Sequence, residues 1–276
     1  LAYTDSFEHD GRTYLLTWDR GIVPKDKVRP FSRTNFHGVV IGGPIQLPIA
    51  FFRGKPAPKY RAAGDKLTAS EDTWPRLAWT QLTGKTRKID GELFYETADG
   101  GAWASANDAA IAEKTKLPLA ISRKKEGRRS WLDISIHGGT LVAYEFDTPV
   151  YATLISPGRG GTPHRGLPTL DTASTPTGLF HVLGKFLTAT MTSGSIATLV
   201  HAEVQYTQNF SGPYALHGAY WHDRFGERKS GGCVNLSPID ARRIFHWTDP
   251  PLPEGWHGLR AIEMKQQGMT AIRLRP

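Results

Sequence analysis

Short stretches rich in β-branched and aromatic residues, set between Gly, Asp and Pro, dominate the pattern of apolar and polar positions in this chain. Arg12–Trp18, Val39–Ile41, Glu92–Thr97, Trp131–Ser135, Thr140–Phe146, Val150–Ile155 and Gly178–Val182 read as strands. Helical signals are fewer. Asp108–Lys116, capped by Asn107 or Asp108, predicts one helix. Pro238–Trp247 predicts another: Ser237 can cap it, and Pro238 takes the first helical position, where a missing N–H costs nothing. Thr248-Asp249-Pro250-Pro251 cannot continue it. The expected fold is mostly β.

Two stretches of the first half echo each other. Asp10-Gly11-Arg12-Thr13-Tyr14-Leu15-Leu16-Thr17 resembles Asp90-Gly91-Glu92-Leu93-Phe94-Tyr95-Glu96-Thr97, and Asp19 or Asp99 follows two residues later. Two related strand-turn-strand units, in an SH3-like module, would produce the echo, and so would a shared hairpin preference. Beyond Arg129 the strands lengthen and alternate more regularly. Lys116–Ser130, with its proline and the Lys124-Lys125 and Arg128-Arg129 pairs, is therefore the expected boundary. It divides a β-rich accessory region at 1–125 from a second domain at 129–276.

Composition narrows the setting. With 39% hydrophobic and 22% charged residues over 276 positions, the chain has the material for a substantial core and does not read as disordered. The longest apolar runs, such as Leu47–Phe52, are strand-sized, far below the roughly 18 residues of a membrane helix. The formal charge of +8 favours an anionic partner, such as nucleic acid, anionic lipid or an acidic envelope polymer. The basic residues are dispersed, and the Lys124–Arg129 cluster reads as solvated surface. One cysteine excludes an intrachain disulfide framework and a multi-cysteine zinc ribbon. The first residue is Leu1, consistent with removal of a signal segment.

The chemistry concentrates in Leu216–Pro238. Cys233 follows Ser230-Gly231-Gly232, and the two glycines let the backbone turn tightly and aim N–H groups at whatever sits on the sulfur. A carbonyl attacked by a thiolate needs such donors. His217 stands upstream as a base for the thiol, and the carbonyl of Gly218 can orient its second ring nitrogen. A structural cysteine in a glycine-rich turn is the competing reading. A zinc site from His217, His222 and Cys233 lacks CxxC or HExxH spacing.

His217, twelve intervening residues and Ser230-Gly231-Gly232-Cys233-Val234-Asn235 resemble the signature of the YkuD-type L,D-transpeptidase family. That signature is a histidine, a dozen or more residues, then Ser/Thr-His-Gly-Cys-Val/Ile-Asn/Arg. Ser156-Pro157-Gly158 after Ile155, and Thr175-Pro176-Thr177-Gly178-Leu179-Phe180, resemble two further family elements, so the likeness spans about Arg129–Pro276. It implies a β-sandwich with a short helix after the active-site loop. It also implies a Cys233 thioester formed on a peptidoglycan stem tetrapeptide, with His217 as base and backbone N–H groups near Gly231, Gly232 and Cys233 as oxyanion donors. Further implications are an envelope or periplasmic setting, no cofactor, no nucleic-acid partner and inhibition by carbapenems. The departure is Gly231, where the family usually has histidine. It leaves open an active variant, an impaired or specialised peptidoglycan-binding member, or a substituted sequence; separately, water as the acceptor would make the protein an L,D-carboxypeptidase. Tyr214 and Trp221 could line the peptide groove, Arg224 and Arg228 could bind stem carboxylates, His222 could partly fill the place of the missing histidine, and Asn235 is expected to fix the loop.

Overall fold

The computed structural model describes residues 2–123, 127–193, 199–260 and 268–276. Lys124 and Lys125 of the basic cluster lie outside them. Arg128 and Arg129 are described, and their guanidinium groups lie over the rings of Trp247 (4.7 Å) and Phe146 (3.9 Å).

Four sheets make up the fold. Tyr3–His9, Arg12–Thr17 and Ile22–Pro24 form a three-stranded meander. A seven-stranded sheet follows, in the order Ala109–Ala112, Ile49–Phe52, Trp79–Ile89, Glu92–Thr97, Trp103–Ser105, Ala57–Ala63, Lys66–Trp74. The strands expected beyond Arg129, with Ala271–Arg275 and with Val39–Val40 from the first half, build the six-stranded sheet Gly178–His181, Ala271–Arg275, Ser130–Ser135, Thr140–Glu145, Thr148–Leu154, Val39–Val40. The fourth sheet runs Val234–Leu236, Tyr214–Gly218, Leu199–Ser211, Gly184–Ser193, Gly258–Arg260. Leu132, Ile134 and Leu141 of the six-stranded sheet meet Phe210, Leu216, Val234 and Leu236 of the five-stranded sheet in one buried cluster, so these two sheets form a sandwich. No helix is long and apolar enough to cross a membrane among the described residues.

The hairpin echo has a shared structure. Asp10 and Gly11 (φ 49° and 72°) turn the first hairpin, and Asp90 and Gly91 (φ 50° and 84°) the second, the left-handed pair that suits Asp-Gly. Beyond the turn, Thr17 Oγ1 donates to Asp19 and its N–H reaches the Gly21 carbonyl (2.8 Å), while Thr97 Oγ1 donates to Asp99 (2.5 Å) and its N–H reaches Ala102 (3.0 Å). The likeness thus extends into the third strand of each meander.

One expected helix is a strand. Ala109–Ala112 pairs antiparallel with Ile49–Phe52 and buries Ala109, Ala110 and Ala112. Alanine's helical preference is small, and the completed backbone pairing and burial outweigh it.

The N-terminal residues are woven into the sandwich. Val39 and Val40 pair with Ala152 and Tyr151, and Phe36, Ile49 and Phe51 share a core with Trp131, Tyr144, Leu154 and Phe225. Gly38 lets the backbones touch: a Cβ there would lie 2.2 Å from the Ala152 carbonyl oxygen. Its N–H donates to Asp240 Oδ1 (2.9 Å), at the first turn of helix Pro238–Trp247. Asp240 is fully buried and also accepts from Tyr151 (2.6 Å), Thr153 (2.7 Å) and Ser237 (2.9 Å). Ser237 Oγ in turn accepts the Asp240 N–H (3.0 Å), the N-cap its sequence predicts.

Candidate active site

Tyr214–Gly218 and Val234–Leu236 pair in parallel, with Leu216 opposite Val234 and His217 opposite Asn235. Leu216, Val234 and Leu236 point into the sandwich core. By the two-residue alternation of a strand, His217, Asn235 and Cys233 share the other face. Cys233 stands opposite Ala215, diagonal to His217. Strand spacing puts their Cα atoms roughly 8 Å apart.

His217 is buried, and Nδ1 donates to the Gly218 carbonyl (3.1 Å), which leaves Nε2 as the basic nitrogen. Burial pushes its pKa down to about 4, and the Gly218 hydrogen bond only partly opposes this. The ring is therefore neutral and able to accept a proton at neutral pH. The half-buried Cys233 thiol is pushed up by burial, against the Ala215 backbone hydrogen bond that favours the thiolate. Its Sγ also lies 3.8 Å from the Pro213 carbonyl oxygen. The resting pair is thus a thiol and a neutral imidazole.

Ser230 shapes the loop. Its Oγ accepts the Gly232 N–H (3.0 Å) and donates to the Cys233 carbonyl (2.5 Å). Gly232 is required: its φ is +132°, and a Cβ would lie 2.5 Å from Tyr214 Cε1 and 2.9 Å from the Ser174 carbonyl oxygen. Gly231 is different, for a Cβ there meets nothing within 4 Å. Both flanking motifs from the sequence arrive here. The N–H groups of Lys229 (2.9 Å) and Ser230 (3.1 Å) reach the Pro157 carbonyl, Arg159 N–H reaches the Ser230 carbonyl (2.9 Å), and Gly158 N–H donates to Thr175 Oγ1 (2.8 Å).

The remaining candidates divide into two groups. Tyr214 packs under Gly232 and bonds Thr169 Oγ1 (2.5 Å). Trp221 tilts against His217 at 5.7 Å between ring centroids and stacks on His201 at 3.9 Å. His201 carries no local motif that sequence reading could have flagged. Arg224 and Arg228 are exposed and engaged outside the cysteine loop, Arg224 with Glu227, Arg228 with His137 Nδ1 (3.0 Å) and over Gly161.

His222 sits beside Asn235. Its Nδ1 accepts the Arg224 N–H (3.2 Å), so the proton of the neutral ring belongs on Nε2, 3.0 Å from the Asn235 amide. Burial first, then Lys229, push the His222 pKa down to about 4. With Asn235 Nδ2 facing Nε2, two donors would meet and Oδ1 would be buried without a partner. Rotating the amide by half a turn lets Oδ1 accept from Nε2–H, and this is the chemically consistent assignment. No group of three or more His, Cys, Asp or Glu side chains is placed to hold a metal among the described residues.

A cysteine next to the strand Val234–Leu236 and a buried, neutral histidine on the paired strand Tyr214–Gly218 have the chemistry that acyl transfer needs, a thiol and a base. Residues 129–257 match the model of the L,D-transpeptidase catalytic domain, YkuD. No curated protein matches the chain. Among solved structures, it is similar to a mutant of Enterococcus faecium L,D-transpeptidase at 18% identity, over 53% of this chain and 49% of that one, with a TM-score of 0.38. The aligned part thus spans about half of that relative. It is also similar to an L,D-transpeptidase from Mycobacterium smegmatis (15% identity, 80% and 78% covered, TM-score 0.39). A third is the catalytic domain of the E. faecium enzyme acylated by ertapenem (18% identity, 54% and 98% covered, TM-score 0.37).

Proposed function

We propose that the chain is a peptidoglycan L,D-transpeptidase acting through a Cys233 thioester. What supports this reading is the parallel register of His217 with Asn235, two residues after Cys233, within residues matched to the L,D-transpeptidase domain. His217 Nε2 takes the thiol proton as Sγ attacks the carbonyl of the third stem residue. Gly232 N–H is committed to Ser230, so the N–H groups of Gly231 and Cys233 are the donors for the tetrahedral oxyanion. Collapse breaks the amide bond and expels the terminal D-amino acid, whose amine takes the proton from His217. An amine of a neighbouring stem then attacks the thioester, loses its proton to His217 and restores the thiol. The chemistry proceeds without a cofactor. The formal charge of +8 suits an anionic wall, and the setting we assign is the periplasm or cell envelope.

The open space at Gly231 favours one second reading, an impaired member that binds stem peptides without turning them over. Water as acceptor would instead make the enzyme an L,D-carboxypeptidase. Intact-mass spectrometry with ertapenem, the compound that acylates the similar E. faecium domain, separates enzyme from binder. An adduct absent from Cys233→Ala supports the transpeptidase, and a folded protein without adduct supports the binder. Muropeptides from sacculi incubated with the protein then distinguish crosslinking from trimming.

A further inference from the structure

We propose that Arg76 and Arg53, both from the N-terminal region, are positioning residues that clamp the loop between His217 and Cys233. Arg76 Nη1 donates to Asp223 Oδ2 (2.9 Å) and Nη2 to the Asp223 carbonyl (2.5 Å), so one guanidinium holds both side chain and backbone. Arg53 Nη1 donates to the Gly226 carbonyl (2.8 Å), and its stem packs where a Cβ on Gly226 would sit, 3.1 Å from Arg53 Cδ. Burial lowers the Arg53 pKa, with the nearby Glu227 charge opposing. A buried cation here is desolvated, and it is retained by what it grips.

The opposite side of the same loop faces the site. Arg224 carbonyl accepts from Ser156 Oγ (2.9 Å), and Gly226 N–H reaches the Ile155 carbonyl (2.9 Å). Ser156 exchanges backbone hydrogen bonds with Asn235 (2.8 and 2.9 Å). His222, next to the clamped Asp223, contacts the Asn235 amide, and Asn235 is the register partner of His217. A short chain of direct contacts therefore runs from Arg76 through Asp223, His222 and Asn235 to the strand pair that aligns His217 with Cys233. This role rests on the reading of Cys233 and His217 as nucleophile and base, and it gives the N-terminal region a part in the chemistry.

The test uses the full chain and the pH profile of Cys233 alkylation by iodoacetamide, read cleanly because there is one cysteine. Arg76→Met is expected to slow alkylation at pH 7 at least fivefold and to move the profile toward that of His217→Ala. Arg76→Lys should recover to within about twofold. Arg61→Met, which breaks the exposed Arg61–Asp72 pair of the same region, should leave the profile unchanged. A folded Arg76→Met whose profile superimposes on wild type overturns the proposal. If Arg76→Met does not fold, Asp223→Asn, which keeps the carbonyl contact, carries the test on the same terms. Ertapenem treatment separates the two readings: a shifted alkylation profile with no adduct on wild type would defeat the transpeptidase and leave the clamp standing.

Discussion

Gly231 and Gly232 are adjacent, identical in type and opposite in tolerance, so Gly231→Ala and Gly232→Ala form a sharp pair. At Gly232 the φ of +132° is a conformation L side chains rarely adopt, and holding a non-glycine residue in such a region costs about 1–3 kcal/mol. The new methyl would also press on Tyr214 Cε1 at 2.5 Å, and that ring cannot swing aside easily, being held by Phe210 and Thr169. Overpacking of this kind adds about 1–3 kcal/mol. The expected loss for Gly232→Ala is therefore about 2–6 kcal/mol, a large share of an ordinary domain's stability. Gly231→Ala enters open space at unstrained φ, and it should fall within about 1 kcal/mol of wild type, gaining slightly from a stiffer unfolded chain. Urea unfolding of both variants, with iodoacetamide alkylation of Cys233 alongside, measures the difference. The loop could escape the clash only by moving Cys233. A Gly232→Ala variant within about 0.5 kcal/mol of wild type and with unchanged Cys233 reactivity would therefore refute the reasoning.

Further outcomes follow from the same geometry. His217→Ala is expected to slow acylation of Cys233 by ertapenem at least about a hundredfold, and His222→Ala much less; stopped-flow rates with both variants check this, and a larger loss for His222→Ala would reassign the base. The folded-state pKa values of His217 and His222, about 4 against 6.5 for a free imidazole, mean that the unfolded chain binds more protons between those pH values. Stability should thus fall as pH drops through that window, by up to about 2 kcal/mol per ring between pH 7 and 5, and His217→Ala should shed its share of the slope in urea titrations at both pH values. Asp240→Ala orphans the donors of Gly38, Tyr151, Thr153 and Ser237, and a loss of about 3–5 kcal/mol by the same measurement is expected.

What the sequence by itself determined is what short-range chemistry controls. Ser237 and Pro238 start a helix because a hydroxyl cap and a fixed φ act within one turn of chain. Asp10-Gly11 and Asp90-Gly91 make hairpins because their left-handed turns are local. Cys233 after two glycines stands out in the sequence for the same reason, together with its spacing from His217. Tertiary structure decided the rest. Ala109–Ala112 reads as helix in isolation and becomes a strand only because Ile49–Phe52 lies beside it. Val39–Val40 is a strand by composition, yet nothing near it says that its partner is Tyr151–Ala152. The Asn235–His222 contact, the stacking of His201 on Trp221, and the grip of Arg53 and Arg76 on the loop between His217 and Cys233 join residues that no motif links. Such pairings depend on which strands lie side by side, and that is set by burying two sheets against each other across the whole chain.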